Sequence, residues 1–120
     1  GFEDVAYVKE KGIDLKNLSS PKTLFEGSAR EAVKLFPKNV NVAATVSLAG
    51  IGFERTKVKI IADPQTNRNH HRIEVKGEFG TMVTEVNNIP FEKNPKTSRI
   101  AAQSAIAALK KIVSTYWVGV

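Results

Sequence analysis

Alternating apolar and polar residues predict five strands along the chain. An apolar run predicts a first strand over residues 5–8, and a second strand, closed by glycine, covers residues 23–27. In residues 55–62, apolar side chains alternate with lysines, which is typical of a half-buried strand. Residues 70–76 and 79–86 lie on either side of a short turn, so they predict a hairpin.

Capping residues indicate two helices between the second and third strands. Ser28 is followed three residues later by Glu31, and this capping box precedes an apolar stretch with helical spacing. A second, short helix is rich in small residues, and the pattern places its N-cap at Asn41 and its end at Gly50. The small side chains predict close packing against a neighbouring element.

A last, long helix follows the hairpin. Asn94 and Pro95 supply its predicted N-cap and first helical residue. Its apolar side chains recur every three or four residues, and this stripe is predicted to pack on the sheet: Ala102, Ala105, Ile106, Leu109, Ile112 and Val113. The order β, β, α, α, β, β, β, α predicts an α+β fold with a mixed, largely antiparallel sheet. In such a fold we expect the helices to pack on one face of the sheet and the other face to be available for dimerisation.

The composition is that of one folded domain. A chain of 120 residues with 42% hydrophobic residues can bury a core, so residues 1–120 are predicted to form a single domain. The sequence contains no cysteine and two histidines, which argues against disulfides and a structural metal site. It has neither an apolar run of about 20 residues nor a secretory-signal layout, so a cytoplasmic protein without a membrane partner is expected. Because the chain begins at Gly1, close to its first predicted strand, we expect a piece of a longer protein.

The net charge of +6 and the sequence pI of about 9.7 require that a polyanionic partner be considered. Basic residues come singly or in pairs, as at Lys57, Lys59 and the pair Lys110 and Lys111. There is no basic run and no interleaving of basic with aromatic residues. The distribution therefore favours a solvated basic surface over a nucleic-acid-binding face.

The two histidines are adjacent, and adjacent side chains of a strand point to opposite faces. His71 lies on the same predicted face of the strand as the apolar Ile73 and Val75, whereas His70 lies on the same face as Arg72. A histidine on the buried face can act as an acid or a base near neutral pH, because its ordinary pKa is about 6.5. From the residues alone, a core histidine that is hydrogen-bonded to a backbone carbonyl is the more common case.

Asn41 also has two interpretations. Its side-chain amide could orient a polar substrate at a helix N-terminus, or it could serve only as the helix cap, which is the more common role.

The nearby segment Gly50-Ile51-Gly52 has the first two glycines of a dinucleotide-binding loop. The third glycine is missing, and the segment leads from a helix into a strand, which is the reverse of the order that such a loop needs. We therefore assign no cofactor to it.

Five segments, taken together, resemble the C-terminal domain of L-aspartate dehydrogenases. They are residues 24–32 (LFEGSAREA), 36–44 (FPKNVNVAA), 62–64 (ADP), 69–71 (NHH) and 94–98 (NPKTS). Their order and spacing are compatible with that family over nearly the whole chain.

The resemblance implies a two-domain enzyme that oxidises L-aspartate to iminoaspartate with NAD or NADP. The product would serve NAD biosynthesis or hydrolyse to oxaloacetate and ammonia. A Rossmann domain, which is not among these 120 residues, would bind most of the cofactor. The family's Asn-x-His element falls on Asn69 and His71, which makes His71 the acid or base near the substrate amino group. The Asn-x-Asn-Val-Ala-Ala element places Asn41, and with it Asn39, beside the substrate or the nicotinamide.

One departure from the family pattern lies directly after the motif histidine, where an acidic residue is expected and this chain has Arg72. The resemblance favours a homodimer formed through this domain. It also implies that these 120 residues are inactive without the cofactor domain. Two other functions stay open at this point: a non-catalytic oligomerisation or ligand-binding module, and a basic domain that binds nucleic acid.

Overall fold

The computed structural model describes residues 2–92 and 94–115, and for residue 91 and residues 94–97 it describes only the backbone. The helices and strands follow one another in the order α1 Ala6–Glu10, β1 Lys22–Ser28, α2 Ala29–Leu35, α3 Asn41–Ala49, β2 Lys57–Ala62, β3 Asn69–Gly77, β4 Gly80–Asn88, β5 Pro90–Phe91, β6 Asn94–Ser98 and α4 Arg99–Val113. In this part of the chain the strands form three antiparallel pairs, β1 with β2, β3 with β4, and β5 with β6. The α+β class and the antiparallel pairing are thus confirmed.

The chain divides into two compact units between Thr66 and Asn67. The first unit has its core around Phe36, whose side chain is fully buried at 0% exposure. Three aromatic rings surround it, with centroid distances of 6.2 Å to Phe2, 5.4 Å to Tyr7 and 5.9 Å to Phe25. Together with Phe36, which follows α2, these rings join the N-terminal segment containing α1, strand β1 and the end of α2.

The predicted strand over residues 5–8 is wrong, since these residues lead into α1. The amides of Val8 and Lys9 both donate to the carbonyl of Val5, at 3.1 and 3.2 Å. This helical turn buries Val8 and brings Tyr7 against Phe36. A short apolar run fits a buried strand and a buried helix equally well, so the packing decides between them.

The predicted capping box begins α2 and is confirmed. The backbone amide of Glu31 donates to Ser28 Oγ at 3.3 Å, and the amide of Ser28 donates to Glu31 Oε2 at 2.9 Å. Each residue thus satisfies a donor that the first helical turn leaves without an intrahelical partner.

The next helix, α3, has the predicted extent, but Asn41 is not its N-cap. Val40 occupies the cap position without a side-chain hydrogen bond, and Asn41 is the first helical residue. Val40 is 6% exposed and belongs to the core, so its burial sets the start of the helix. The side chain of Asn41 is therefore exposed and has no capping role.

The second unit contains the hairpin of β3 and β4, which confirms the sequence prediction. Gly77 pairs with Gly80, so Glu78 and Phe79 form a two-residue turn. Gly80 has φ +114°, a conformation that side-chain-bearing residues rarely adopt. The register then continues without a shift to the pair Asn69 and Asn88 at the open end.

The last helix begins later than predicted. Asn94 and Pro95 lie in β6, and Ser98 is the N-cap of α4, so their predicted capping roles are wrong. The amide of Arg99, the first helical residue, donates to the carbonyl of Ile89 at 3.2 Å. The predicted packing of the apolar stripe on the sheet is also wrong for the described residues, because α4 has no buried residue. A periodic stripe indicates that a helix has an apolar face, but it does not identify what covers that face.

Candidate active site

Half-buried and exposed residues alternate along β3, as the alternating apolar and polar residues of the sequence predicted. His71, Ile73 and Val75 are half-buried, and the residues between them are exposed. Antiparallel partners share a face, so β4 adds four residues to this side. We call this surface the His71 face, and it consists of Asn69, His71, Ile73, Val75, Met82, Thr84, Val86 and Asn88.

The opposite surface of the hairpin carries the charged residues. Arg72 Nη1 lies 2.5 Å from Glu85 Oε1, and Lys76 Nζ lies 2.7 Å from Glu74 Oε1. These pairs are exposed, and such pairs contribute little to stability. Arg72, which stands where the family pattern has an acidic residue, therefore lies on the face opposite His71 and pairs with Glu85.

His71 is the titratable residue of the His71 face. Burial lowers the pKa of its imidazole below 6.5, and the charge of the neighbouring His70 lowers the pKa further. A lowered pKa means that the ring is neutral at pH 7 and can accept a proton. The environment of His71 therefore suits a general base.

Asn69 lies beside His71 on the same face, one pleat further along the strand. It is exposed, and directly opposite it lies Asn88, which is half-buried. The structure thus brings Asn69 and His71 together, and it adds Asn88 as a third polar group. Asn88 is not among the site residues predicted from the sequence, although counting back from the two-residue turn would have paired it with Asn69.

Asn39 lies between α2 and α3, Asn41 is the first residue of α3, and both belong to the first unit. Asn39 is half-buried, and its backbone N–H donates to the carbonyl of Phe36 at 2.9 Å. Asn41 is exposed, and its backbone carbonyl accepts a hydrogen bond of 3.0 Å from Thr45 Oγ1. The predicted site residues are therefore divided between the units, with these two in the first and Asn69 and His71 in the second.

The glycine segment of the first unit does not have the layout of a dinucleotide-binding loop. Gly50 follows α3, and the chain continues through Gly52 toward β2, so this glycine segment runs from helix to strand. A dinucleotide-binding loop requires the opposite order.

In residues 2–92 and 94–115, no group of three or more potential ligand side chains is arranged to hold a metal ion. Within the same ranges, the helices are too short or too polar to span a bilayer.

Comparison with known proteins shows similarity to aspartate dehydrogenases. The family described as "Aspartate dehydrogenase, C-terminal" matches residues 1–112. The L-aspartate dehydrogenase of Methanosarcina mazei is 58% identical over 119 residues, which are 99% of this chain and 44% of that protein. The enzyme of the same name from Nitrosopumilus maritimus is 50% identical over 108 residues, or 90% of this chain and 40% of that protein.

A solved structure is similar as well. The crystal structure of aspartate dehydrogenase from Thermotoga maritima matches with a TM-score of 0.67 at 33% sequence identity. The match covers 93% of this chain and 43% of that one. The chain thus spans less than half the length of the relatives that it matches.

Proposed function

The chain belongs to the family of aspartate dehydrogenase C-terminal domains, and from this membership we propose that it is the substrate-side domain of an L-aspartate dehydrogenase. The observation that carries the proposal is the position of His71, half-buried on one face of the hairpin with a lowered pKa. In this proposal residues 1–120 work as one substrate-binding domain, and a Rossmann domain elsewhere in the full-length protein binds the dinucleotide.

The proposed reaction is the oxidation of L-aspartate to iminoaspartate with NAD or NADP. Iminoaspartate would then enter NAD biosynthesis or hydrolyse to oxaloacetate and ammonia. A bound nicotinamide would supply the acceptor for a hydride from the substrate Cα. The protein must hold that C–H bond in position and remove a proton from the amino group.

His71 has the properties for the proton transfer. Its neutral imidazole can take a proton from the substrate ammonium group, and the resulting imidazolium can return a proton when water adds to the imine. Apolar neighbours on the same face, Ile73 and Val75, favour the neutral ring before the substrate arrives. The exposed charged residues of the opposite face do not compete for that proton.

The asparagines are proposed to bind the polar groups of the substrate. Asn69 lies beside His71 and can reach the same ligand. Asn41, with its side chain free of a capping role, and the half-buried Asn39 are proposed to contact the substrate or the nicotinamide. An uncharged amide suits these tasks because it can both donate and accept hydrogen bonds.

Steady-state kinetics of the full-length protein test the proposal. We expect reduction of NAD or NADP that depends on L-aspartate, and we expect His71→Ala to lower kcat by about 10²-fold or more. Arg72→Ala is the matched control, because Arg72 is adjacent but lies on the opposite face. It should change kcat by no more than about twofold. Wild-type turnover in the His71 variant would contradict the assignment.

We also propose that the domain forms a homodimer. Apolar side chains on β4 and α4 support this, since Met82 is 53% exposed and Ile112 is 74% exposed in the single chain. Sedimentation equilibrium of the full-length protein tests it. A dimer is expected, and a monomer at high protein concentration would contradict the proposal.

A further inference from the structure

The open end of the hairpin carries a polar residue to which the proposed mechanism assigns no role. Asn88 is the last residue of β4 and pairs with Asn69. Directly opposite residues have Cβ atoms about 5 Å apart, and diagonal neighbours on the same face lie about 7–8 Å apart. Asn88 is therefore within reach of a small molecule that also contacts His71, its diagonal neighbour.

Within the described residues, the side-chain amide of Asn88 is available to a ligand. In the described part of the chain its side chain makes no hydrogen bond, to Asn69 or to any other residue. Asparagine is disfavoured in strands, and half-buried strand positions suit β-branched residues. Ile73, Val75 and Val86 show this preference on the same face.

The His71 face offers an anion only neutral donors. None of the eight residues that β3 and β4 place on this face is a lysine or an arginine. A carboxylate held beside His71 by the hairpin must therefore accept its hydrogen bonds from amides or from a hydroxyl. A neutral donor also leaves His71 free of a neighbouring positive charge on its own face.

Asn88 is held by the backbone on both sides. On its N-terminal side, the unbroken pairing of β3 with β4 holds the backbone of Asn88 in place. On its C-terminal side, the carbonyl of the next residue, Ile89, accepts a hydrogen bond of 3.2 Å from the backbone amide of Arg99. A binding residue on such a segment is preorganised, which lowers the entropy that is lost when a ligand binds.

We infer that Asn88 is a substrate-binding residue, whose side-chain amide donates a hydrogen bond to a carboxylate of a small amino dicarboxylate while the amino group of that molecule lies at His71. This inference rests on the proposed function. It adds a residue to the binding site and supplies the carboxylate donor that the charged residues of the hairpin, on the opposite face, cannot supply.

Two substitutions of Asn88 in the full-length enzyme test the inference. Asn88→Leu keeps the approximate volume and removes the donor, and Asn88→Asp keeps the shape and adds a negative charge. We expect each to raise the KM for L-aspartate at least about tenfold, because hydrogen bonds to charged groups contribute strongly to binding. The more conservative Asn88→Asp keeps the test valid if the leucine variant does not fold.

Succinate separates carboxylate binding from proton transfer. It has two carboxylates and no amino group, so its inhibition constant reports the contact with Asn88 and does not depend on the base. Both Asn88 variants should raise that constant at least about tenfold. His71→Ala should change it much less than it changes kcat.

Asn87 provides the matched control. It is adjacent to Asn88, pairs with His70, and lies on the opposite, exposed face. Asn87→Leu and Asn87→Asp should leave the KM and the succinate constant within about twofold of the wild type. An active wild type whose two constants are unchanged by both Asn88 variants would overturn the inference and leave the proposed function intact. A wild type without activity on L-aspartate would overturn both.

Discussion

His70 and His71 are neighbours in β3, but their side chains lie on opposite faces of the hairpin. His70 is exposed and His71 is half-buried. Burial lowers the pKa of His71, and the charge of His70 lowers it further. The exposed histidine thus helps to keep its neighbour in the neutral form that accepts a proton.

Replacing His70 should therefore move the pH dependence of the enzyme. In His70→Gln the charge is lost, so the pKa of His71 rises, and the acid limb of kcat/KM moves to higher pH. Part of the lowering should persist, because burial is the larger cause. The pH profile of kcat/KM measures the shift.

Lys76→Gln is the control for this experiment. Lys76 carries a positive charge on the face of His70, but it lies five residues from His71 along the strand. At about 3.4 Å per residue, this separation exceeds the screening length of about 8 Å at physiological salt. The acid limb should not move in Lys76→Gln, and an equal shift in both variants would contradict the role of His70.

The aromatic cluster of the first unit should dominate its stability. Phe36 is fully buried among three rings, so Phe36→Ala should lower the free energy of unfolding by about 3–5 kcal/mol. Phe79, which is 73% exposed at the hairpin turn, is the control. Its replacement by alanine should cost no more than about 0.5 kcal/mol. Urea unfolding of the two variants gives the comparison, and similar losses would argue against the observed core.

Gly27 lies where a side chain would disturb both the core and the cap of α2. A Cβ at this position would be 2.7 Å from Phe25 Cζ and 2.9 Å from Glu31 Oε2. Because Phe25 is buried, Gly27→Ala should lower the free energy of unfolding by about 1–3 kcal/mol. In Gly77→Ala the new Cβ meets only the exposed Phe79 ring, which can move away. A thermal melt should separate the two variants, and equal melting temperatures would contradict this packing.

The capping box should make the stability of α2 dependent on pH. Hydrogen bonds from the backbone amide and the hydroxyl of Ser28 lower the pKa of Glu31 below 4.5. The carboxylate therefore contributes stability above pH 4.5, and this contribution is lost as the pH falls through the lower pKa of the folded state.

Unfolding midpoints measured from neutral to acidic pH test this expectation with Glu31→Ala. The variant should be less stable than the wild type at neutral pH, and the difference should narrow on acidification. Glu10→Ala removes an exposed glutamate that caps no helix, so it should change the midpoint little at neutral pH. A difference between Glu31→Ala and the wild type that is constant at every pH would argue against the charged cap.

The features that the sequence determined by itself depend on near neighbours along the chain. Ser28 and Glu31 cap α2 because they are three residues apart, and that spacing brings each side chain to the other's backbone amide. The two faces of β3 follow from the alternation of a strand, which assigned His71 and His70 to opposite sides. The hairpin follows from two neighbouring stretches with strand character that a short turn separates.

The remaining features were decided by contacts between residues that are distant in the sequence. The conformation of residues 5–8 depends on the packing of Tyr7 against Phe36, and the start of α3 depends on the burial of Val40 in the same core. Asn88 gains its place beside His71 only through the pairing of β3 with β4. Local preferences among turns, strands and short helices differ by about 1 kcal/mol or less per residue. Burial of a single large side chain is worth about 1.5–3 kcal/mol, so the tertiary structure prevails where the two disagree.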